Sequence, residues 1–396
     1  MNWEEIELKE ISEYRTEKIS TTVIETNYIS TENMLPEKGG ITDSSYPPTS
    51  KTVASFKTND VLVSNIRPYF KKIWFADFDG GCSNDVIVFK SNEDNLIPKF
   101  LYYQLSKDEF FDFMMSGANG TKMPRGNRKA IPTFKLLLPP HQTQKRIVDI
   151  LSAYDDLIEN NLKRIKLLEQ AAQNIYKEWF VNLRFPGHEN TPINEETGLP
   201  LGFKEVLVNS KALYFGRGIT PKYKDGSGIF GINQKVNKGS ILETEHMKEF
   251  DPELNIPEKK YAHFGDVLIN SLGEGTIGRV HFYSGKSVIH PVDQHMSIFR
   301  SEDLGLNLFM YLFFSSNEGQ GLLASIKKGG TNMTMLNIGD LRKLEITIPN
   351  RKTLLKLQDI VLPFFKNKNL LLNQNQKLKA ARDILLPRLM NRTIEV

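Results

Sequence analysis

Three stretches of the chain carry residue types and spacings that could do chemistry. Gly273-Glu-Gly275-Thr-Ile-Gly278 fits a Gly-x-Gly-x-x-Gly loop and follows a strand pattern. A dinucleotide site needs a helix next, so that its N-terminus meets the phosphates. The next residues are instead Arg279-Val-His-Phe-Tyr283, a strand pattern, so the glycines are expected to turn a hairpin. Ser284-Gly285-Lys286-Ser287 looks like the end of a P-loop, but the glycine that should start it falls at Val280. Without that glycine the backbone cannot wrap a phosphate. Asp251, Glu258 and Lys260 have spacing loosely like a metal nuclease core, in a proline-broken polar segment that reads as a loop. His290 and His295 are the closest notable histidine pair, with no His-Glu-x-x-His segment beside them. Each is expected to be satisfied within a strand or turn. No Gly-rich cofactor loop is seen, so no catalysis and no cofactor or metal is expected of this chain.

A second chemistry, charge neutralisation with polar contact, is suggested by basic loops. Asn119-Gly-Thr-Lys122-Met-Pro-Arg125-Gly-Asn127-Arg128-Lys129 holds four basic residues and no acid. Lys327-Lys328-Gly-Gly-Thr-Asn332-Met-Thr-Met-Leu-Asn337 has the same character. Arg67-Pro-Tyr69-Phe-Lys71-Lys72 follows a strand pattern, and Gly216-Arg217-Gly-Ile-Thr-Pro-Lys222-Tyr223-Lys224 is followed by Gln234 and Lys235. Arg279 opens the strand pattern after the glycines. Nucleic-acid readers place Lys and Arg on phosphates, and Arg, Asn, Gln and aromatics on base edges.

Composition allows this reading without requiring it. The chain has 396 residues, 40% hydrophobic and 25% charged, with net charge +4. That length suggests two or more domains. Cys82 is the single cysteine, which rules out a disulfide framework and fits a reducing cytoplasm. The opening ten residues are charged and carry no apolar run, so no secretory signal is expected there. Apolar runs such as Leu308 to Phe314 are far shorter than the roughly 20 residues that span a bilayer.

The elements that must position the loops are duplicated. Asp60-Val-Leu-Val-Ser matches Asp266-Val-Leu-Ile-Asn, and Gly120-Thr-Lys-Met123 matches Gly330-Thr-Asn-Met333. From Val88 onward the matches are 210 residues apart, as Val88 is from Ile298 and Pro139 from Pro349. Trp3-Glu-Glu-Ile-Glu-Leu and Phe203-Lys-Glu-Val-Leu-Val open the two halves. Each half begins with short alternating segments, read as strands and separated by turn residues, as at Asp60–Ser64, Lys72–Ala76 and Val86–Phe89. A helical stretch comes after them, near Pro98–Met115 and Leu306–Ile326, so each half is expected to be α+β. A heptad seam is next. His141 to Asn182 has no Gly or Pro, and its seam runs through Leu151, Ile158, Asn161, Ile165 and Ala172. The second seam runs through Phe364, Lys368, Leu371, Asn375, Leu378, Arg382 and Leu385, with Pro363 and Pro387 expected to kink or interrupt its helix. Antiparallel pairing would set Leu151 against Leu385, Ile158 against Leu378, Asn161 against Asn375, Ile165 against Leu371 and Ala172 against Phe364.

Leu137-Leu-Pro-Pro-His-Gln-Thr-Gln-Lys-Arg-Ile-Val-Asp-Ile-Leu-Ser152, Asp156-Leu-Ile-Glu-Asn-Asn161 and Ile175-Tyr-Lys-Glu-Trp-Phe180 resemble the conserved helical region of specificity subunits of type I restriction–modification systems. Ala380-Ala-Arg-Asp-Ile-Leu-Leu-Pro-Arg-Leu-Met390 resembles their C-terminal helix, and Phe264-Gly-Asp-Val-Leu-Ile-Asn-Ser-Leu-Gly273 a strand of their recognition domains. The resemblance implies two similar target-recognition domains, 1–139 and 183–349 with a linker at 183–200. Two long antiparallel helices, at 140–182 and 350–396, would join them as a coiled coil with a pseudo-twofold internal repeat. It implies a cytoplasmic, non-catalytic subunit that reads a two-part site on double-stranded DNA. The helices would dock two methyltransferase subunits, which bring motor-nuclease subunits. S-adenosylmethionine, ATP and magnesium would belong to those partners. The alternative from another class is a structural coiled-coil adaptor with two protein-binding heads, and the basic loops favour DNA. The chain departs from the family in two places. Asn350 stands where a second proline and a Gln-Lys-Arg-Ile start are expected, and Thr58-Asn-Asp60 replaces the Gly265-Asp266 turn.

Overall fold

The computed structural model describes residues 3–24, 27–42, 48, 50–91, 96–118, 120, 122–273, 275–285, 290–329 and 334–396. It forms two compact units, Met1–Glu159 with Asn375–Val396, and Asn160–Gln374. The sequence pattern sets the long helices apart as separate segments. In the structure each unit instead takes half of each helix, because each half packs into the core of its own unit.

Both units are built on the same four-stranded antiparallel sheet. In the first, the strand order is Ser12–Tyr14, Val86–Ser91, Val61–Ser64, Ile73–Phe75. In the second it is Tyr214–Arg217, Met296–Arg300, Val267–Asn270, Val280–Phe282. The central strands are buried on both faces, so the apolar–polar alternation expected from sequence does not hold for them. Alternation sends Val61, Val63 and Phe89 into one core, and Leu62, Trp74 and Val88 into the other. The second unit divides Val267, Ile269 and Phe299 from Leu268 and Ile298 in the same way. A short two-stranded ladder opens and closes each domain, with Ile6 opposite Leu136 and Val206 opposite Ile346.

The helical stretch after each sheet is two helices rather than one: Pro98–Leu105 with Asp108–Ser116, and Leu304–Ser315 with Asn317–Ser325. In the second unit the break is made by Ser316, whose extended backbone ends one helix while its side chain accepts from Gly319 N to start the next.

The long helices are His141–Tyr176, continued by a π-helical turn Lys177–Val181, and Arg351–Met390. Pro363 and Pro387 do not interrupt the second one, contrary to the expectation from sequence. Each proline removes one helical hydrogen bond, but the carbonyls so released belong to Asp359 and Asp383, both exposed, where water can satisfy them. The flanking residues Val361, Phe365, Leu386 and Leu389 are buried and hold the helix in place. The helix start also explains the missing proline. Asn350 Oδ1 accepts from Thr353 N at 2.9 Å and caps the helix.

In the first unit the helices run antiparallel, since Asp155 meets Arg382 at 2.8 Å while the Ile158 carbonyl accepts from Asn375 Nδ2 at 3.2 Å. Tyr103 OH donates to the other Asp155 oxygen at 2.7 Å, fastening the domain to the pair. Leu151 shares a core with Leu385, which is half-buried, and Leu386, which is buried. In the second unit Ile165 and Leu371 are buried and Lys368 meets Glu169 at 2.9 Å. The same ammonium donates to the Ser240 carbonyl, again fastening domain to helix. Ala172 lies in the core with Phe365; Phe364 is half-buried at its edge. Leu378 is half-buried, and Ile158, Asn161 and Asn375 are buried. The buried stripe thus moves on by one residue at Phe365 and Leu386, as a helix of 3.6 residues per turn drifts from a strict heptad.

Candidate nucleic-acid interface

At one end of each sheet the strand-end loops are tied together by main-chain bonds that repeat between units. In the first, Asn65 N donates to the Asp85 carbonyl at 2.8 Å and Gly126 N to the Asn65 carbonyl at 3.1 Å. In the second, Ser271 N donates to the His295 carbonyl and Leu336 N to the Ser271 carbonyl, both at 2.9 Å. Isolated bridges Ile66–Arg125 and Leu272–Met335 complete the match. The two basic loops singled out from sequence therefore hang from equivalent points of one frame.

In the first unit this brings together Arg67, Tyr69, Lys71 and Lys72 with Lys122, Arg125, Asn127, Arg128 and Lys129. Several of these are committed within the protein. Lys71 pairs with Asp108 at 3.0 Å and Arg125 with Asp85 at 3.2 Å. Lys72 donates to the Thr31 carbonyl, and burial pushes its pKa below the usual lysine range. Arg128 donates to the Asn84 and Val86 carbonyls, and Asn127 Oδ1 accepts from Lys129 N. Lys122 and Lys129 are exposed, with no side-chain partner among the described residues. Asn119 lies outside the described residues.

In the second unit Arg217 donates to the Leu336 and Gln294 carbonyls, and burial lowers its pKa. Gln234 lies beside the glycine loop, its carbonyl accepting from Asn270 Nδ2 at 2.9 Å. Lys328 pairs with Asp340 at 2.6 Å, whereas Lys224, Lys235 and Lys327 are exposed and without a side-chain partner among the described residues. Lys222 is turned to Asp251 at 2.7 Å, and Tyr223 OH donates to Asp293 at 3.0 Å, with burial and then Asp293 raising its pKa. Arg279 braces the turn by donating to the Asn237 and Gly275 carbonyls. Asn332 lies outside the described residues.

The frame adds two residues that loop composition did not single out. Lys38 joins the first corner, its N donating to the Lys71 carbonyl at 3.0 Å and its Nζ reaching Asp108 at 2.8 Å. Gln294 joins the second, accepting from Thr220 Oγ1 at 2.7 Å. The repeat offset could have found it, since it is the counterpart of Asn84.

The residues with apparent catalytic spacing are placed in structural roles. The glycine loop joins the antiparallel strands Val267–Asn270 and Val280–Phe282. Glu258 meets His263, and Lys260 holds the Arg217 and Gly218 carbonyls. His290 Nδ1 contacts the Phe230 carbonyl and His295 Nδ1 meets Asp293. Lys286 and Ser287 lie outside the described residues. No metal-ligand cluster, and no helix long and apolar enough to cross a membrane, occurs among the described residues.

The sequence model of the type I restriction modification DNA specificity domain matches residues 1–170 and 230–380. The HindI type I restriction enzyme specificity subunit of Haemophilus influenzae is 24% identical over 404 residues, covering 85% of this chain and 87% of that one. The MjaIX type I restriction enzyme specificity subunit of Methanocaldococcus jannaschii is 26% identical over 319 residues, covering 75% and 69%. The fold is similar to that of a type I restriction–modification S subunit from M. genitalium, with TM-score 0.54, 14% identity, and 98% and 96% of the two chains covered. With the family matched over most of its length, and in both copies of the repeat, the chain belongs to the type I restriction–modification family of DNA specificity subunits.

Proposed function

We propose that each unit reads one half of a bipartite duplex target. On this reading the long helices carry two methyltransferase subunits and, through them, motor-nuclease subunits. S-adenosylmethionine, ATP and magnesium act on those partners in the cytoplasm, and this chain supplies no catalytic group. The observation that carries the reading is the repeated tie, Gly126 to Asn65 and Leu336 to Ser271, which hangs a basic loop at the same place in both units. The lysines of those loops that have no side-chain partner among the described residues suit phosphates.

The test is binding to duplex DNA by the complex with its methyltransferase subunits over a range of salt. Lys122→Ala and Lys327→Ala should each weaken binding to every sequence and reduce the slope of log K against log salt by about 0.9. Methylation mapping should return a motif in two separated parts. A single contiguous motif, or a changed base preference in either variant with the salt slope intact, would overturn the assignment.

A further inference from the structure

The two frames differ most at the loop leaving the central strand. In the second unit this is Gly273–Gly278. In the first it is a single 3-10 turn, Pro68–Phe70, with two adjacent aromatic side chains facing solvent. Tyr69 is 45% and Phe70 37% exposed, with ring centroids 4.6 Å apart. Exposed aromatics in a relaxed loop would carry little meaning, but this turn is held. Arg67 and Lys71, at its two ends, are left-handed with φ of 49° and 50°. Glu37 and Lys38, whose N–H groups donate to the Phe70 and Lys71 carbonyls, are left-handed too. Four of the seven positive-φ non-glycine residues among the described ones thus meet at this corner. Such strain persists where surrounding structure over-determines it, and it concentrates at working sites. Asp108 does part of the holding by binding both Lys38 and Lys71.

The surroundings say what the rings face. Met123, 50% exposed, adjoins Pro124, whose carbonyl accepts from Arg67 N at 2.7 Å. Lys122, with no side-chain partner among the described residues, comes just before it, and Arg67 Nε is buried and has no hydrogen-bond partner among them. Apolar side chains rimmed by cations match a duplex opened at one step, with rings against bases and cations against the flanking phosphates. Apolar wedges of this kind unstack base steps. We propose that Tyr69 and Phe70 form a wedge that unstacks one base step in the half-site of the first unit, and that the second unit, with glycines in that place, reads its half-site without one. The inference rests on the two-site reading above.

The experiment uses the complex with its methyltransferase subunits and duplexes carrying a single abasic site at each position of the mapped target, leaving the methylated bases in place. Where a missing base spares the unstacking, the unaltered complex should bind about tenfold tighter, at one step of one half-site only. Tyr69→Ala with Phe70→Ala should abolish that gain, and Tyr69→Phe should keep it. Three results overturn the wedge and leave two-site reading intact: binding without a gain at any step, a gain that survives the double substitution, or a double variant that binds DNA normally and releases methyltransferase subunits, which would make the rings a protein contact. If the complex binds no duplex, the two-site reading falls and the wedge with it.

Discussion

The first and second units keep one frame and fill it differently. Strand order, the opening ladder and the loop ties recur, whereas the loop leaving the central strand is filled differently. The clearest case is a buried carboxylate. Asp60 accepts from Lys57 N and Asp266 from His263 N, both at 2.7 Å, closing the same turn. Each also binds an arginine through both oxygens. For Asp60 it is Arg15, just beyond the strand Ser12–Tyr14; for Asp266 it is Arg300, at the end of Met296–Arg300. The counterpart of Arg300 in the first unit is Lys90, which turns outward to Glu13. The frame therefore requires a buried cation beside the turn and is indifferent to the strand that supplies it. Positions that close the backbone are held in common, and positions that face outward are free to diverge.

The largest expected effect comes from removing that carboxylate. Asp60→Ala and Asp266→Ala each leave an arginine mostly buried and unpaired and a turn N–H without its acceptor. Each should destabilise its own unit by about 3–5 kcal/mol. Amide hydrogen exchange, resolved by unit, is the measurement, because the two units need not unfold together. Loss confined to Asp266→Ala, with Asp60→Ala tolerated, would break the equivalence.

The fastenings between domain and helix sharpen the comparison through pH. In the second unit burial pushes the Lys368 pKa below 10.5, and Glu169 opposes the shift. In the first, burial works against the Arg382 charge, but Asp155 and Asp383 together outweigh it and the guanidinium pKa is raised. Glu169→Gln and Asp155→Asn should each cost about 3 kcal/mol near neutral pH. They should then diverge. Lys368 without Glu169 titrates still lower, so above its folded pKa and up to 10.5 the unfolded chain binds more protons, and stability rises with pH. Arg382 cannot shed its proton, so Asp155→Asn should recover nothing. Denaturant unfolding at neutral pH and near pH 10 checks this; parallel recovery in both variants would remove the distinction.

Much of the frame could be read in the sequence, because it depends on local pattern. The runs Val61-Leu-Val and Val267-Leu-Ile mark strands, though not their burial on both faces, and the heptads mark the long helices. The partners of single charges were not legible. Lys71 reaches Asp108 and Lys222 reaches Asp251, and both pairings depend on how loops close. Nor does sequence distinguish the exposed Tyr69 from a core aromatic such as Tyr103. Helix continuity through Pro363 depended on something equally non-local, namely that the freed carbonyl of Asp359 belongs to an exposed residue.

The smallest expected effect concerns the turn where the two units use different residues for one conformation. Gly265 has φ of 95°, and in the first unit Asn59 occupies the same place before the aspartate with φ of 72°. Asn tolerates the left-handed region better than other residues with a side chain, so Asn59→Gly should change stability by only about half a kcal/mol. The reverse exchange is not equivalent. A Cβ at residue 265 would lie 2.7 Å from Leu304 Cδ1. Gly265→Asn must therefore displace the Leu304 methyl, and should cost about 1–2 kcal/mol, mostly from that contact. Adding Leu304→Ala separates the two sources. If sterics dominate, that substitution should cost less in the Asn background than in the native one, a coupling that a double-mutant cycle reads directly. Strict additivity would place the penalty in the backbone, and Asn59 would then have to be held by contacts that the second unit lacks.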